Sequence, residues 1–296
     1  MGTENGSPDS FGKSLATTRV GLGCASLHHL PTHSQRQSLL RCAFEHGIRY
    51  FDCARMYGNG LAEREVGVLA NDHRSAMIIA TKLGIPANAT LERFPVLQYP
   101  AKITRRLFGF LSPSAATFQE NRFCEAEADR NLSASLRALR QTSIDILLLH
   151  EPQPHEVEKI RALSEWAYQK RAAGTVQHFG LAGDHASLVG AELSGSPWSE
   201  VIQVPIPKDS DVALTTHRLH AHVLYGIFRA ANECGTGAAG SDLERSGAKV
   251  LRQALLHYPE KTILISTRKI ARIELAARVI NEIVASNTVL VPIDDH

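Results

Sequence analysis

The sequence predicts a single (β/α)8 barrel, in which eight parallel strands alternate with helices. Short apolar runs alternate with longer amphipathic runs along the chain, and this order is typical of strand-helix units around a parallel sheet. We count eight such units in 296 residues, a length that barrels of this kind commonly reach. No Gly/Ser-rich or Pro-rich linker divides the chain. We therefore expect one barrel domain over residues 19–296.

The first 18 residues predict a flexible tail, because they are polar, small and aperiodic. Their sequence, MGTENGSPDSFGKSLATT, lacks the apolar core that a secretory signal needs. No later stretch has 18 consecutive apolar residues, so we expect no transmembrane helix. These features together predict a cytoplasmic protein.

Eight short apolar runs give the predicted strands. The runs are centred on Val20–Leu22, Arg49–Phe51, Met77–Ala80, Ile146–Leu149, Gln177–Gly180, Val201–Gln203, His220–Leu224 and Ile263–Ile265. The fourth run contains ILLL, which is too apolar for a half-exposed strand and suits a strand covered on both sides.

Amphipathic runs between the strands predict the helices. Ser34–Glu45 places four apolar residues on one face, and Gly47 just beyond it is a natural stop. The run Arg122–Leu139 places three leucines on one stripe with arginines opposite. Residues 84–119 are rich in Pro and Gly, and a connection of that length inside a compact domain is usually functional. We expect it to be an excursion beside the active site.

The composition points to a small molecule as the partner. The formal net charge is +2, so no overall electric field attracts nucleic acid or an anionic membrane. The five cysteines lie far apart and form no CxxC pair, which argues against a disulfide framework and a zinc knuckle. We expect reduced thiols and no metal site.

Three ionisable residues end successive predicted strands: Asp52, Lys82 and His150. The carboxyl ends of parallel barrel strands meet at one face, so these side chains are expected to converge there. Tyr57 lies in the loop after Asp52. Each residue taken alone also has an ordinary structural interpretation, as a turn residue, a surface lysine, a core histidine or a packing tyrosine. Four together favour a catalytic group.

The segments that carry these residues resemble the aldo-keto reductase family. HGIRYFDCARMYGNGLAEREVG resembles the family signature, IIATKLG its lysine strand and DILLLHEP its histidine strand. GTVQHFGLAG resembles the fifth strand, VIQVPI the sixth, and ILISTRKIARIELAARV the cofactor-binding end. The resemblance covers roughly residues 20–280.

The resemblance implies a proton-transfer group made of Asp52, Tyr57, Lys82 and His150 beside a nicotinamide cofactor. Tyrosine is a poor acid-base group near pH 7 until its neighbours adjust its pKa. We expect Lys82 to lower the pKa of Tyr57 and Asp52 to keep Lys82 charged. We expect His150 to donate a hydrogen bond to the substrate oxygen.

The resemblance also implies a set of cofactor-binding residues. At the carboxamide, Ala182 and Gly183 stand where the family commonly has a Ser-Asn pair, and Gln203 matches its strand-six glutamine. His222 is the nearest counterpart of the aromatic residue that stacks on the nicotinamide, with Tyr225 as the other candidate.

A basic cluster after strand eight predicts a phosphate site. It consists of Ser266, Thr267, Arg268, Lys269 and Arg272. A helix N-terminus with flanking basic side chains is an anion site, although a solvated basic face is the alternative. The family places the adenosine phosphate of its cofactor there, which favours NADPH.

Two other motifs carry less weight. GLGCAS at residues 21–26 lacks the third glycine of a dinucleotide-binding fingerprint, and no helix follows at once. The histidines of HRLHAH at residues 217–222 have no carboxylate or cysteine at ligand spacing, so we do not expect them to hold a metal.

The function we expect is an NADPH-dependent oxidoreductase that interconverts an aldehyde or ketone and its alcohol, or a sugar hemiacetal and its lactone. The alternative is a non-catalytic nucleotide-binding barrel that signals redox state through a protein partner. Metal-assisted hydrolysis would need ligands that the strand ends do not provide.

Overall fold

Eight parallel strands close into one barrel in the computed structural model, which describes residues 19–87, 122–206, 221–227 and 241–286. The strands are β1 (Val20–Gly23), β2 (Tyr50–Asp52), β3 (Ile78–Leu83), β4 (Ile144–His150), β5 (Val176–Ala182), β6 (Val201–Pro205), β7 (Val223–Tyr225) and β8 (Thr262–Ile265). Each strand pairs in parallel with the next, and β1 pairs with β8 to close the barrel. The predicted fold class is confirmed.

Helices follow the strands in the described residues. They are α1 (His33–Glu45), α2 (Leu61–His73), α3 (Glu125–Leu139), α4 (Val157–Ala162), α5 (Ser164–Ala172), α6 (Ala186–Glu192), α7 (Ser241–His257) and α8 (Ile270–Ser286). Short 3-10 helices occupy Cys24–His29, Arg74–Ala76, Pro154–Glu156 and Pro197–Ser199. The predicted tail, residues 1–18, lies outside the described residues, as do residues 88–119 of the predicted excursion.

Two apolar layers hold the barrel together. The inner layer fills the barrel with alternate side chains of the strands: Tyr50, Ala80, Ile146, Leu148, Ala182, Val201, Val223 and Leu264. The outer layer lies between the strands and the helices, where Phe179 of β5 packs edge-on against Trp198 and Trp166. Both faces of the sheet are therefore covered, as the continuous apolar run of β4 predicts.

Candidate active site

A cavity of about 270 Å3 lies at the carboxyl ends of the strands. Because all eight strands are parallel, their last residues and the loops that follow them meet at this face. The cavity is lined by Gly23, Ala25, Asp52, Tyr57, Lys82, His150, Glu151, Ala182, Gly183, Gln203, Tyr225, Gly226, Leu264 and Ser266. The structure thus brings together the four residues predicted as the proton-transfer group.

Asp52 and Lys82 form a buried ion pair at the base of the cavity. The Lys82 Nζ lies 2.5 Å from Asp52 Oδ1 and also donates to the Cys53 carbonyl oxygen at 2.9 Å. Burial alone would lower the pKa of Lys82, but the adjacent Asp52 carboxylate and Tyr57 outweigh it, so that pKa lies above its usual value. Burial raises the pKa of Asp52 against the opposing effect of Lys82. Lys82 is therefore a fixed cation.

Tyr57 lies between the ion pair and His150. Its ring centroid is 5.0 Å from Lys82 Nζ and 5.9 Å from the imidazole, which meets it edge-on at 85°. Burial raises the pKa of Tyr57 to about 12, although the charge of Lys82 acts to lower it. Lys82 thus lowers the pKa of Tyr57, as expected from the sequence. The pKa still lies above the ordinary value for tyrosine, because desolvation has the larger effect.

His150 ends β4 and is held as a neutral imidazole. Burial lowers its pKa to about 3, and the positive charges of Lys82 and Arg122 act in the same direction. A neutral imidazole carries one N–H donor and one acceptor nitrogen. His150 can therefore donate a hydrogen bond to an oxygen in the cavity without carrying a charge itself.

Arg122 fixes the turn that follows His150, a role that the sequence analysis missed. Its guanidinium forms a buried ion pair with Glu156, with Nε 2.7 Å from Oε1. It also donates to the carbonyl oxygens of His150 at 3.4 Å and Glu151 at 2.8 Å. No periodicity marks this contact, because it joins two connections that are distant in sequence.

Gln203 on β6 has a buried acceptor atom in its side chain. The side chain hydrogen-bonds to the Asp52 carboxylate, whose pKa this bond lowers. Its Oε1 has no hydrogen-bond partner in the part of the chain that the structure describes. A buried acceptor without a partner costs free energy, so it is expected to meet a donor of a bound ligand.

Gly183 lies at the end of β5, beside Gln203. Its backbone N–H donates to the Gln203 carbonyl oxygen at 3.0 Å. Its φ of +146° lies in a region that residues with a side chain rarely adopt. Asp184, the next residue, is exposed and does not line the cavity.

His222 does not line the cavity, so the structure does not bring it together with the other residues predicted to hold the nicotinamide. It precedes β7, and its Nδ1 lies 3.2 Å from the backbone N–H of Ile202, which donates to it. Val223 and Tyr225 belong to the inner layer, and side chains alternate along a strand, so His222 cannot share that face. Tyr225, the other candidate, lines the cavity.

The predicted phosphate residues lead from the cavity to the start of α8. Ser266 lines the cavity, and Arg268 and Lys269 are exposed beyond it. Thr267 Oγ1 accepts a hydrogen bond from the Lys269 backbone N–H at 3.0 Å and so orders the turn into α8. Arg272 lies in the first turn of α8.

The described residues contain neither a metal-binding cluster nor a membrane-spanning helix. No group of three or more His, Cys, Asp or Glu side chains in these residues could hold a metal ion. His217 and His220 lie outside the described residues. None of the described helices is both long and apolar enough to cross a membrane.

Comparison with known proteins identifies the family. The model of the Aldo/keto reductase family matches residues 19–195. The chain is 27% identical over 186 residues to D-threo-aldose 1-dehydrogenase from a Pseudomonas species, a match that covers 59% of this chain and 52% of that protein. The matched segment thus spans about half the length of this curated relative.

Solved structures show the same fold. An aldo-keto reductase from Bacillus halodurans is 17% identical, with a TM-score of 0.64 over 88% of this chain and 86% of that one. A Klebsiella pneumoniae aldo-keto reductase in complex with NADPH is 16% identical, with a TM-score of 0.61 over 90% and 89% of the two chains. Because the family model covers more than half of the residues, the chain belongs to the aldo/keto reductase family.

Proposed function

We propose that this protein is an NADP(H)-dependent oxidoreductase that interconverts a carbonyl compound and its alcohol, or a sugar hemiacetal and its lactone. The observation that carries the proposal is the convergence of Asp52, Tyr57, Lys82 and His150 on one cavity. Family membership supports the reaction class, and the Klebsiella structure with NADPH supports the cofactor.

The residues around the cavity fit a nicotinamide cofactor. The buried Oε1 of Gln203, which no described residue hydrogen-bonds, is a suitable acceptor for the NH2 group of the carboxamide. Tyr225 supplies an aromatic ring in the cavity wall. Ser266, Thr267, Arg268, Lys269 and Arg272 would hold the phosphate groups at the start of α8. The bound cofactor supplies or accepts the hydride at the substrate carbon.

Proton transfer is the task of Tyr57. A hydroxyl group with a pKa of about 12 is protonated near pH 7, so Tyr57 can give its proton to the substrate oxygen during reduction. Lys82 lowers the cost of the tyrosinate that remains, and Asp52 keeps Lys82 in place. His150 donates a hydrogen bond to the same oxygen as charge develops there. In oxidation the same groups act in reverse.

The test is cofactor binding followed by turnover. NADPH and NADH are titrated against the protein and followed by the emission of the reduced nicotinamide, and an aldehyde panel is then assayed. The name of the Pseudomonas relative makes an aldose with NADP+ the first substrate for the oxidative direction. We expect saturable NADPH binding and turnover of at least one substrate. Absence of binding by either cofactor would refute the proposal.

A further inference from the structure

Glu151, the residue after His150, has an unusual backbone that several contacts hold in place. Its φ is +53°, a left-handed conformation that is uncommon for residues other than glycine. Its N–H donates to the Ala182 carbonyl oxygen at 2.7 Å. Its own carbonyl oxygen accepts from Arg122 at 2.8 Å and from the Gln153 side chain at 3.0 Å. These hydrogen bonds hold the backbone of Glu151 in its left-handed conformation at the rim of the cavity.

The Glu151 carboxylate occupies space that Gly183 leaves open. A Cβ at position 183 would lie 2.4 Å from Glu151 Oε2, so only glycine allows the carboxylate there. Oε2 accepts the backbone N–H of Asp184 at 3.2 Å. Within the described ranges, Oε1 has no hydrogen-bond partner, and the side chain is half-buried in the cavity wall.

Glu151 gives the described part of the cavity lining a net negative charge. The other charged residues among the described lining residues, Asp52 and Lys82, neutralise each other at 2.5 Å. His150 is neutral because its pKa is about 3. Among the described residues, the Glu151 carboxylate makes no ion pair, and the guanidinium of Arg122 is paired with Glu156. The charges of Arg122 and His185 act on the Glu151 carboxylate from outside the lining. Among the described lining residues, it is therefore the one charge that no other lining residue balances.

We propose that the Glu151 carboxylate binds the cationic oxidised nicotinamide in preference to the neutral reduced ring, so that this protein favours NADP+ over NADPH. The inference rests on the proposed function. The oxidised ring carries a positive charge that the reduced ring lacks, whereas the rest of the cofactor is the same in both. The difference in affinity between NADP+ and NADPH therefore reports how the protein interacts with the positive charge of the oxidised ring.

This arrangement suits oxidation of an alcohol or hemiacetal. A protein that favours the oxidised form takes up NADP+ in competition with NADPH and releases NADPH readily after turnover. In the reductive direction, NADP+ would instead act as a strong product inhibitor. Glu151 would thus help to set the working direction without taking part in proton transfer.

The test is the ratio of the dissociation constants of NADPH and NADP+, measured by calorimetric titration without substrate. We expect Glu151→Gln, which keeps the shape but removes the charge, to reduce this ratio about tenfold, the order expected for one charge acting across a protein cavity. Glu151→Ala serves as a second neutral variant if Glu151→Gln does not fold. Glu158→Gln is the matched control, because it removes an exposed carboxylate on α4 that does not line the cavity.

The outcomes separate this inference from the proposed function. A ratio that falls in the neutral Glu151 variants and stays constant in Glu158→Gln supports the inference. A ratio in either folded neutral variant within twofold of the wild-type value overturns it, even if the protein turns over substrate. Cofactor binding without turnover overturns the proposed function alone. No binding of either form overturns both.

Discussion

Burial and charge act on Tyr57 in opposite directions. Desolvation raises its pKa to about 12, while Lys82, 5.0 Å from the ring centroid, acts to lower it. The hydroxyl is therefore protonated at neutral pH, as the role proposed for Tyr57 in reduction requires. The role proposed for it in oxidation requires that it first lose this proton, so we expect the oxidative rate to rise with pH.

Tyr57→Phe should keep cofactor affinity but lower the reductive rate by at least about 10²-fold, the usual scale for loss of a positioned acid-base group. Single-turnover kinetics and an NADPH titration measure the two quantities. Tyr168→Phe is the matched control, because Tyr168 is an exposed tyrosine on α5. A reductive rate within a few fold of wild type would remove Tyr57 from the proton-transfer role.

Lys82→Met should shift the pH profile of any remaining activity to higher pH, because Tyr57 loses the cation that opposes its raised pKa. The variant should also lose about 3–5 kcal/mol of unfolding free energy, because the Asp52 carboxylate remains buried without its cationic partner. The double variant Asp52→Asn/Lys82→Met separates the two effects: it should regain stability but not activity. Full activity with an unchanged profile would contradict the assigned role of Lys82.

The sequence predicts a residue of this site well where the residue ends an apolar run. Asp52, Lys82 and His150 each do so, and parallel strands bring such residues to one face. The role of Arg122 was not predicted, because its contacts depend on the paths of the connections before α3 and after β4, which no sequence pattern reveals. The sequence could have predicted Glu151 as a residue of the cavity, because it is a charged residue that directly follows the histidine at the end of a strand. HAHVLY allows two strand registers that expose opposite faces, and the observed one places Tyr225 rather than His222 with the inner layer.

Among the elements, the turn after β4 depends on one buried ion pair. Arg122→Met should lower the unfolding free energy by about 3 kcal/mol or more, because the Glu156 carboxylate would be left buried without its cationic partner. Urea unfolding measures this change. Arg130→Met is the control: Arg130 pairs with Glu127 on the exposed face of α3, where a pair is worth about 1 kcal/mol or less. Equal losses in the two variants would show that the buried pair has no special role.

The start of α8 carries the proposed preference for NADPH over NADH. Arg272→Ala should weaken NADPH binding about 10- to 150-fold and leave NADH nearly unchanged, because charge-assisted hydrogen bonds to the extra phosphate are worth about 1.5–3 kcal/mol. Arg278→Ala, an exposed change on the same helix, is the control. Equal dissociation constants for the two cofactors in the wild-type protein at low salt would refute this site.

Element types were easier to predict than element ends. The first helix begins at His33, one residue before the predicted start, because Thr32 and Gln35 form a capping box there. The helix predicted from Arg122 begins at Glu125, and Arg122 is used in the turn instead. Local hydrogen bonds of this kind move an end by a few residues without changing the hydrophobic period that predicts the element.

For the molecule as a whole, buried His150 should make stability depend on pH. Its folded pKa of about 3 lies below the ordinary 6.5, so between these values the unfolded chain binds a proton that the folded protein does not. Stability is therefore lost as the pH falls from about 6.5 towards 3, with about 2 kcal/mol lost by about pH 5. We expect the unfolding free energy of His150→Gln to fall less between about pH 7 and about pH 5 than that of the wild-type protein. Urea unfolding at the two pH values measures this difference. Identical losses in the two proteins would show that His150 titrates normally in the folded state.

Closure of the barrel by its first and last strands has a consequence for synthesis on the ribosome. Val20 of β1 pairs with Ile263 of β8, so the final neighbour of β1 is translated about 240 residues after it. At about 5–20 residues per second, this interval lasts roughly 12–50 s. Throughout that time one edge of β1 has unpaired backbone groups, the kind of surface on which chains aggregate. A nascent chain stalled before Thr262 should therefore depend on chaperones more than the released protein does.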